Sequence, residues 1–178
     1  SMYPVMGAIK WLKTYFAMLA TPLTVLDVLF GHLAWIALRL SMVSVIYLGI
    51  MAAFGTVHSY LAIVAAPAAV LTGLAFSAPI VALAATLPND TGFSALYRLV
   101  LIPMFLFSGT FFPISQLPGW LQVIARVTPL YNGATLCRGL VLGHLQLLSS
   151  LGHVAYLVAL VAVGLRLGAL SYRRRLVT

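Results

Sequence analysis

The sequence predicts an all-α integral membrane protein, and three observations carry that reading. Of 178 residues, 63% are hydrophobic and only 7% are charged, against about 25% charged in a soluble domain. So little polar surface cannot cover a globule in water. Four stretches, 33–56, 60–86, 95–112 and 150–171, are apolar over roughly the 20 residues a helix needs to cross a bilayer. Most of the ten Lys and Arg residues stand near the ends of those stretches, where basic residues set the orientation of membrane helices.

The segment before the first span, 5–32, reads as two helices. Val5, Met6, Ile9, Leu12, Phe16 and Leu19 recur at helical spacing, with Lys10, Lys13 and Thr14 opposite. That pattern suits a helix lying in the interface with its cations toward lipid phosphates. Thr21-Pro22 then predicts a second helix over 22–30, with Thr21 as N-cap, Pro22 at the first helical position and Gly31 as C-cap. A compact, capped helix here fits either an ordinary connector or a docking element for a cytoplasmic partner.

Three spans follow over 33–112. Small residues line the second at Ala65, Ala69, Gly73 and Ser77, and the last span carries Gly164 and Gly168. Such faces allow close helix approach. Pro67 and Pro79 are expected to kink the second span. The turn PNDTG, 88–92, offers Asn89 or Asp90 as cap for the third.

The segment 113–149 is broken but greasy. Pro113 ends the third span at or before Phe112. After the Ser115–Pro118 turn, Leu117, Trp120, Leu121, Ile124 and Val127 share one apolar face, and Gln116, Gly119, Gln122 and Arg126 share the other. Pro129 stops this helix, 116–127. A second one over 131–141 carries Tyr131, Thr135 and Arg138 on its polar side. Both are too short to span, so they are read as external re-entrant or interfacial elements with Trp120 as anchor. The last span, 150–171, leads to a tail, 172–178, holding Arg173, Arg174 and Arg175.

Four spans place both ends on one side. The Lys/Arg distribution makes that side the cytoplasm. Arg39 and Arg166 lie inside spans, where a central charge costs about 2.5–3.5 kcal/mol. Each is within two turns of an expected cytoplasmic end and can snorkel.

The net charge of +8 does not read as nucleic-acid binding, because aromatic and basic residues are not interleaved. Cys137 is the chain's one cysteine, so no internal disulfide forms, and it reads as a small apolar filler. Asp27 and Asp90 are the only carboxylates; paired acid/base groups are absent. His32, His58, His144 and His153 lack metal-site spacing, so no metal site and no catalytic residue is expected. No GxxxxGK[ST] loop occurs, so the chain has no such ATP site of its own.

The run FLFSGTFFPISQLPGWLQVIARVTPLYNGATLCRGLVLG, 105–143, resembles the signature of ABC-2 type transporter permeases, and KTYFAMLATPLTVLDVLFGHLAW, 13–35, is similar to the same family. The likeness is strongest to the branch of nodulation lipo-oligosaccharide and daunorubicin-type drug exporters. It implies six spans per subunit, a second permease copy, and a separate ATPase subunit that uses ATP and Mg. Four spans here would then be the C-terminal part of the family's six, because the start, YPVMG, resembles the end of the second span. By position, helix 22–30 would be the coupling helix, with Pro22, Leu23, Leu26, Asp27 and Gly31 meeting the ATPase. Ser108, Gly109, Phe112, Pro113, Leu117, Pro118, Trp120, Pro129 and Arg138 would belong to the external gate. Arg39 would be the basic residue near the start of its span. The implied function is the permease subunit of an exporter of an amphiphilic cargo: a lipid-linked saccharide, a glycolipid or a hydrophobic drug. An ATP-independent transporter or channel, a membrane enzyme and a structural scaffold are the alternatives. The first is disfavoured by the lack of charged relays in the spans, the second by the missing catalytic groups.

Overall fold

The computed structural model describes residues 22, 24–57, 59–86, 92, 96–109, 114–143 and 147–176. Among the described residues all regular structure is helical: α1 Val25–Ala53, α2 Ala62–Thr86, a π turn Tyr97–Leu101 running into α3 Ile102–Phe107, a 3-10 turn Ile114–Gln116, α4 Gly119–Val127, α5 Pro129–Leu142 and α6 Leu147–Leu176. The α1, α2 and α6 helices are long and apolar enough to cross a membrane.

The α2 helix is the hub, packed most extensively on α6 and then on α5 and α1. Its buried line, Ala62, Ala65, Ala68, Thr72, Ala75, Ala78 and Ala82, runs in steps of three and four residues, as one face of a helix must. Alanine brings the neighbouring backbones close, and glycine brings them closer. A Cβ on Gly164 of α6 would lie 2.7 Å from Ala78 Cβ and from Pro79 N. A Cβ on Gly133 of α5 would lie 2.2 Å from Thr72 Cγ2. The small residues named from the sequence thus serve packing within the chain; of the predicted face, Ala65 is buried while Ala69, Gly73 and Ser77 are half-buried. Gly73 sits against the Leu40 side chain of α1.

Most of the buried apolar residues fall into two clusters, one toward each end of the bundle. At one end Val28, Leu29 and Leu33 of α1 meet Ala78, Val81, Ala84 and Ala85 of α2 and Tyr172 of α6. At the other, Ala62, Ala65, Ala68 and Ala75 of α2 meet Leu136, Leu140 and Val141 of α5 and Leu157 of α6. From Ala34 to Ala53 no residue of α1 is buried. Trp35, Met42, Ile46 and Tyr47 are exposed there, an apolar surface of the kind that faces lipid or another helix.

Several sequence expectations are corrected. The separate helix 22–30 does not exist, because α1 runs unbroken from Val25 to Ala53. Its N-cap is Thr24 and not Thr21. The Thr24 N–H and hydroxyl both donate to Asp27 Oδ2, at 2.8 and 2.6 Å, and the Asp27 N–H donates to Thr24 Oγ1 at 3.3 Å. This capping box starts the helix after Pro22, which lies in a turn. Gly31 is inside the helix, because a glycine there costs only about 1 kcal/mol. Pro67 and Pro79 both lie within α2, which neither of them ends.

Within the expected third span, 95–112, the described helical residues run from 96 to 107. The helix ends at Phe107, within the expected limit of at or before Phe112, because Gly109 takes φ +79, a left-handed geometry that stops a helix. Its start is widened into a π turn. Pro103 accounts for that, since its ring clashes with the carbonyl four residues back. The last span is longer than expected: α6 includes Arg173, Arg174 and Arg175, which the sequence places in a tail. The surface helix expected before residue 21, and Leu23, His58, Asn89, Asp90, Phe112, Pro113 and His144, lie outside the described residues.

Candidate functional site

Two regions carry the polar chemistry of the described residues. The first is the corner formed by the end of α3, the 3-10 turn, α4 and α5. Pro118 precedes α4 and Pro129 opens α5 at its first position. Between them Thr128 makes the bend. Its hydroxyl donates to the Ala125 carbonyl at 2.7 Å and accepts from the Tyr131 N–H at 3.3 Å. One proline thus both stops α4 and starts α5. Gln122 ties the 3-10 turn to α4, its Nε2 donating to the Leu117 carbonyl at 2.9 Å.

The α4 helix is oriented with its apolar side outward. Trp120, Val123, Ile124 and Val127 are exposed, and Ala125 is its buried contact. Its polar side, with Gln122 and Arg126, turns toward α5. Together with Ser108, Gly109, Ile114, Ser115, Tyr131, Ala134, Thr135 and Arg138 it lines a cleft of about 380 Å³. The spacing that put Tyr131, Thr135 and Arg138 on one side of the second short helix thus corresponds to the wall of this cleft. Ser108 is buried, with its hydroxyl 2.9 Å from the Phe105 carbonyl. A Cβ on Gly109 would sit 2.8 Å from Ile114. Pro118 is exposed and Leu117 half-buried at the mouth of α4.

A hydrogen-bond network pins this corner to α6. Asn132 is buried, and its Nδ2 donates to the carbonyls of Arg126 and Thr128, each at 2.9 Å. Two carbonyl acceptors require the amide nitrogen on that side, so Oδ1 faces His153 Nδ1 at 2.7 Å. In the neutral ring Nδ1 therefore carries the proton, and Nε2 accepts from the Ser149 hydroxyl at 3.3 Å. Tyr156 donates to the Val127 carbonyl, and the His153 ring meets Tyr131 edge-on at 6.4 Å. The sequence shows no metal-site spacing around His153 and does not single out Asn132. The available signal was Ser149 four residues before His153, on one helix face.

The second region is the start of α1. Leu26, Asp27 and Phe30 are exposed, while Val28 and Leu29 are buried against α2 and α6. A Cβ on Gly168 of α6 would stand 3.2 Å from the Leu29 side chain. Arg39 lies exposed 14 residues into α1, and Arg98 and Arg166 are also exposed. Cys137 is half-buried between α5 and α2, its Sγ 3.7 Å from the Ala65 carbonyl.

Two further clefts are apolar. One, of about 320 Å³, is lined by Phe76, Tyr97, Leu101, Ile102, Met104, Phe105 and Leu130. The other, of about 300 Å³, opens between α1, α2 and α5 beside Tyr47, Met51, Ala66, Ala69 and Cys137.

Residues 2–142 match the model of the ABC-2 type transporter family. The chain is 32% identical over 171 residues to nodulation protein J of Rhizobium meliloti (strain 1021), covering 96% of this chain and 60% of that protein. It is 31% identical to nodulation protein J of Rhizobium leguminosarum bv. trifolii, over 99% of this chain and 67% of the relative. It is 33% identical to that of Rhizobium leguminosarum bv. viciae, over 99% and 68%. The chain thus spans 60–68% of the length of these relatives. No solved structure matches it. With a family match over most of its length, near-full-length likeness to these relatives and long apolar helices around a common core, the chain belongs to the ABC-2 type transporter family.

Proposed function

We propose that the chain forms the membrane-spanning permease part of an ATP-driven exporter of an amphiphile, working with a separate ATP-binding cassette ATPase and a second permease copy. The ATPase would hold the ATP and Mg. The cargo would be a lipid-linked saccharide, a glycolipid or a hydrophobic drug. Family membership supports transport, and the resemblance of 105–143 and 13–35 to the lipo-oligosaccharide and drug exporter branch motivates the choice of an amphiphilic cargo. The paired apolar clefts beside a polar one suit a molecule with a greasy tail and a polar head.

The observation that carries the mechanism is the continuity of α1. At 29 residues it is roughly 43 Å long, against a hydrocarbon core of about 30 Å. About nine residues therefore project beyond the core. With the projecting end cytoplasmic, the exposed side made by Leu26, Asp27 and Phe30 is open to the ATPase, and Arg39 reaches the headgroups by snorkelling. The opposite side, Val28 and Leu29, is locked to α2 and α6. Closure of the ATPases would then move α1 as one rigid lever and carry α2 and α6 with it. The exposed face of α1 beyond Ala34 would meet lipid or the second copy. The polar cleft and the α4–α5 corner would lie at the outer surface.

Leu26→Asp puts a charge on the exposed side and leaves the Thr24–Asp27 cap intact. Co-purification of the ATPase with the full-length permease should fall at least tenfold in this variant. Undiminished co-purification would overturn the assignment of this helix start as the docking element.

A further inference from the structure

The cleft at the α4–α5 corner holds two guanidinium groups, Arg126 and Arg138, and among the described residues no carboxylate lines it. The chain has only two carboxylates. Asp27 is bonded to Thr24 in the first turn of α1, in the half of the bundle where Val28 and Leu29 meet the far end of α2. Asp90 follows that same far end of α2 in sequence, four residues beyond Thr86. The cleft therefore carries two positive charges that the described residues do not neutralise. Hydroxyls surround them: Ser115, Tyr131 and Thr135 line the same wall. Arg presents a planar fork of donors suited to phosphate and carboxylate oxygens, and hydroxyls add neutral donors. Its volume, about 380 Å³, is at the small end of ligand pockets, roughly 300–1,000 Å³. That leaves room for a head group and not for a whole amphiphile.

The surroundings say what the head group is attached to. Trp120, Val123, Ile124 and Val127 of α4 are exposed, on the side away from the cleft. The α4 helix thus offers apolar side chains to an acyl chain on one side and Arg126 to a head group on the other, the two-sided character of a helix lying at a membrane surface. We propose that this cleft binds the anionic, phosphate-type head group of a membrane amphiphile, with Arg126 and Arg138 as its two charged ligands. The inference deepens the exporter reading, since it gives the outer corner a preference for anionic molecules. It needs neither ATP nor the ATPase to be tested.

The test uses the full-length permease in phosphatidylcholine nanodiscs and a fluorescent short-chain phosphatidic acid as probe. Saturable binding is expected, weakened about tenfold by Arg126→Gln or Arg138→Gln alone, the size of a lost charge-assisted hydrogen bond. The double variant should lose more, and added salt should weaken binding as it screens exposed charge. Lysine at both positions keeps the charge and should lose less than glutamine does. Arg98→Gln, an exposed arginine outside the cleft, should change nothing. Displacement by millimolar inorganic phosphate would show that the head group alone suffices. Displacement by phosphatidylglycerol but not by phosphate would show that the lipid anchor is needed; both results support the site. The proposal fails if the double glutamine variant binds as the wild type does. It fails equally if Arg98→Gln loses as much, or if a phosphatidylcholine carrying the same dye binds as tightly. None of these readouts involves transport, so failure of the exporter reading would leave them interpretable.

Discussion

Gly164 is where the packing account can be worked through to a number. Its position on α6 faces Ala78 and Pro79 of α2, and an alanine methyl there would lie 2.7 Å from Ala78 Cβ, 2.7 Å from Pro79 N and 2.8 Å from the Ala78 carbonyl carbon. Comfortable carbon–carbon contact is about 3.5–4.0 Å, so the two helices must part by roughly 1 Å. Two of the three atoms are backbone and cannot rotate away. Forcing a methyl group into a packed interface costs about 1–3 kcal/mol. Alanine recovers at most about 1 kcal/mol of helix propensity over glycine. Gly164→Ala should therefore destabilise by about 1–2 kcal/mol and lower the melting temperature by about 2–8 °C, read by size-exclusion of heated detergent-solubilised protein. The same helix supplies two controls. Gly152 has nothing within 4 Å of a new Cβ, so Gly152→Ala should leave the melting temperature unchanged or raise it. Gly168 meets only the flexible Leu29 side chain at 3.2 Å, so Gly168→Ala should fall between. A Gly164→Ala protein that melts at or above the wild-type temperature would refute the close α2–α6 approach. Equal losses at Gly152 and Gly164 would do the same.

Gly133→Ala should destabilise by a similar amount, because its Cβ meets Thr72 Cγ2 and Oγ1 at 2.2 Å; adding Thr72→Ala should recover part of the loss, giving a non-additive cycle in melting temperature. Asn132→Leu removes the amide shared by Arg126, Thr128 and His153 and should cost about 1–3 kcal/mol, with faster proteolysis at the α4–α5 corner; an unchanged digestion pattern would dismiss the network as the clamp. Cysteines placed at Ser115 and Gln122 should react with an impermeant maleimide from outside intact cells, and reaction only after lysis would invert the proposed orientation.

The long helices were legible because twenty apolar residues leave few other outcomes for a backbone. Their ends were less so. Thr21, Pro22 and Gly31 carry every mark of a short capped helix, yet Thr24 and Asp27 form a reciprocal cap three residues later, and the modest penalty of Gly31 could not interrupt α1. Pro113 set only an upper limit, an end at or before Phe112, while the residue that fixes the end is Gly109 at φ +79. In α2, alanine on nearly every face hid which line would be buried, and only docking against α5 and α6 selects it. The polar wall of Tyr131, Thr135 and Arg138 followed from spacing along one helix. Its joining to Arg126 across the Thr128 bend did not. The Asn132–His153 bond was invisible for the same reason: its partners stand 21 residues apart on two helices, and no one-dimensional period links them.

The central claim is that this membrane domain moves an amphiphile at the expense of ATP bound elsewhere. Inside-out vesicles holding the full-length permease and its ATPase, given a fluorescent lipo-oligosaccharide and ATP, test it most directly. The account predicts accumulation in the lumen that requires hydrolysable ATP, persists when a protonophore collapses the proton gradient, and is lost with Leu26→Asp. Accumulation without ATP, or abolished by the protonophore alone, would contradict it.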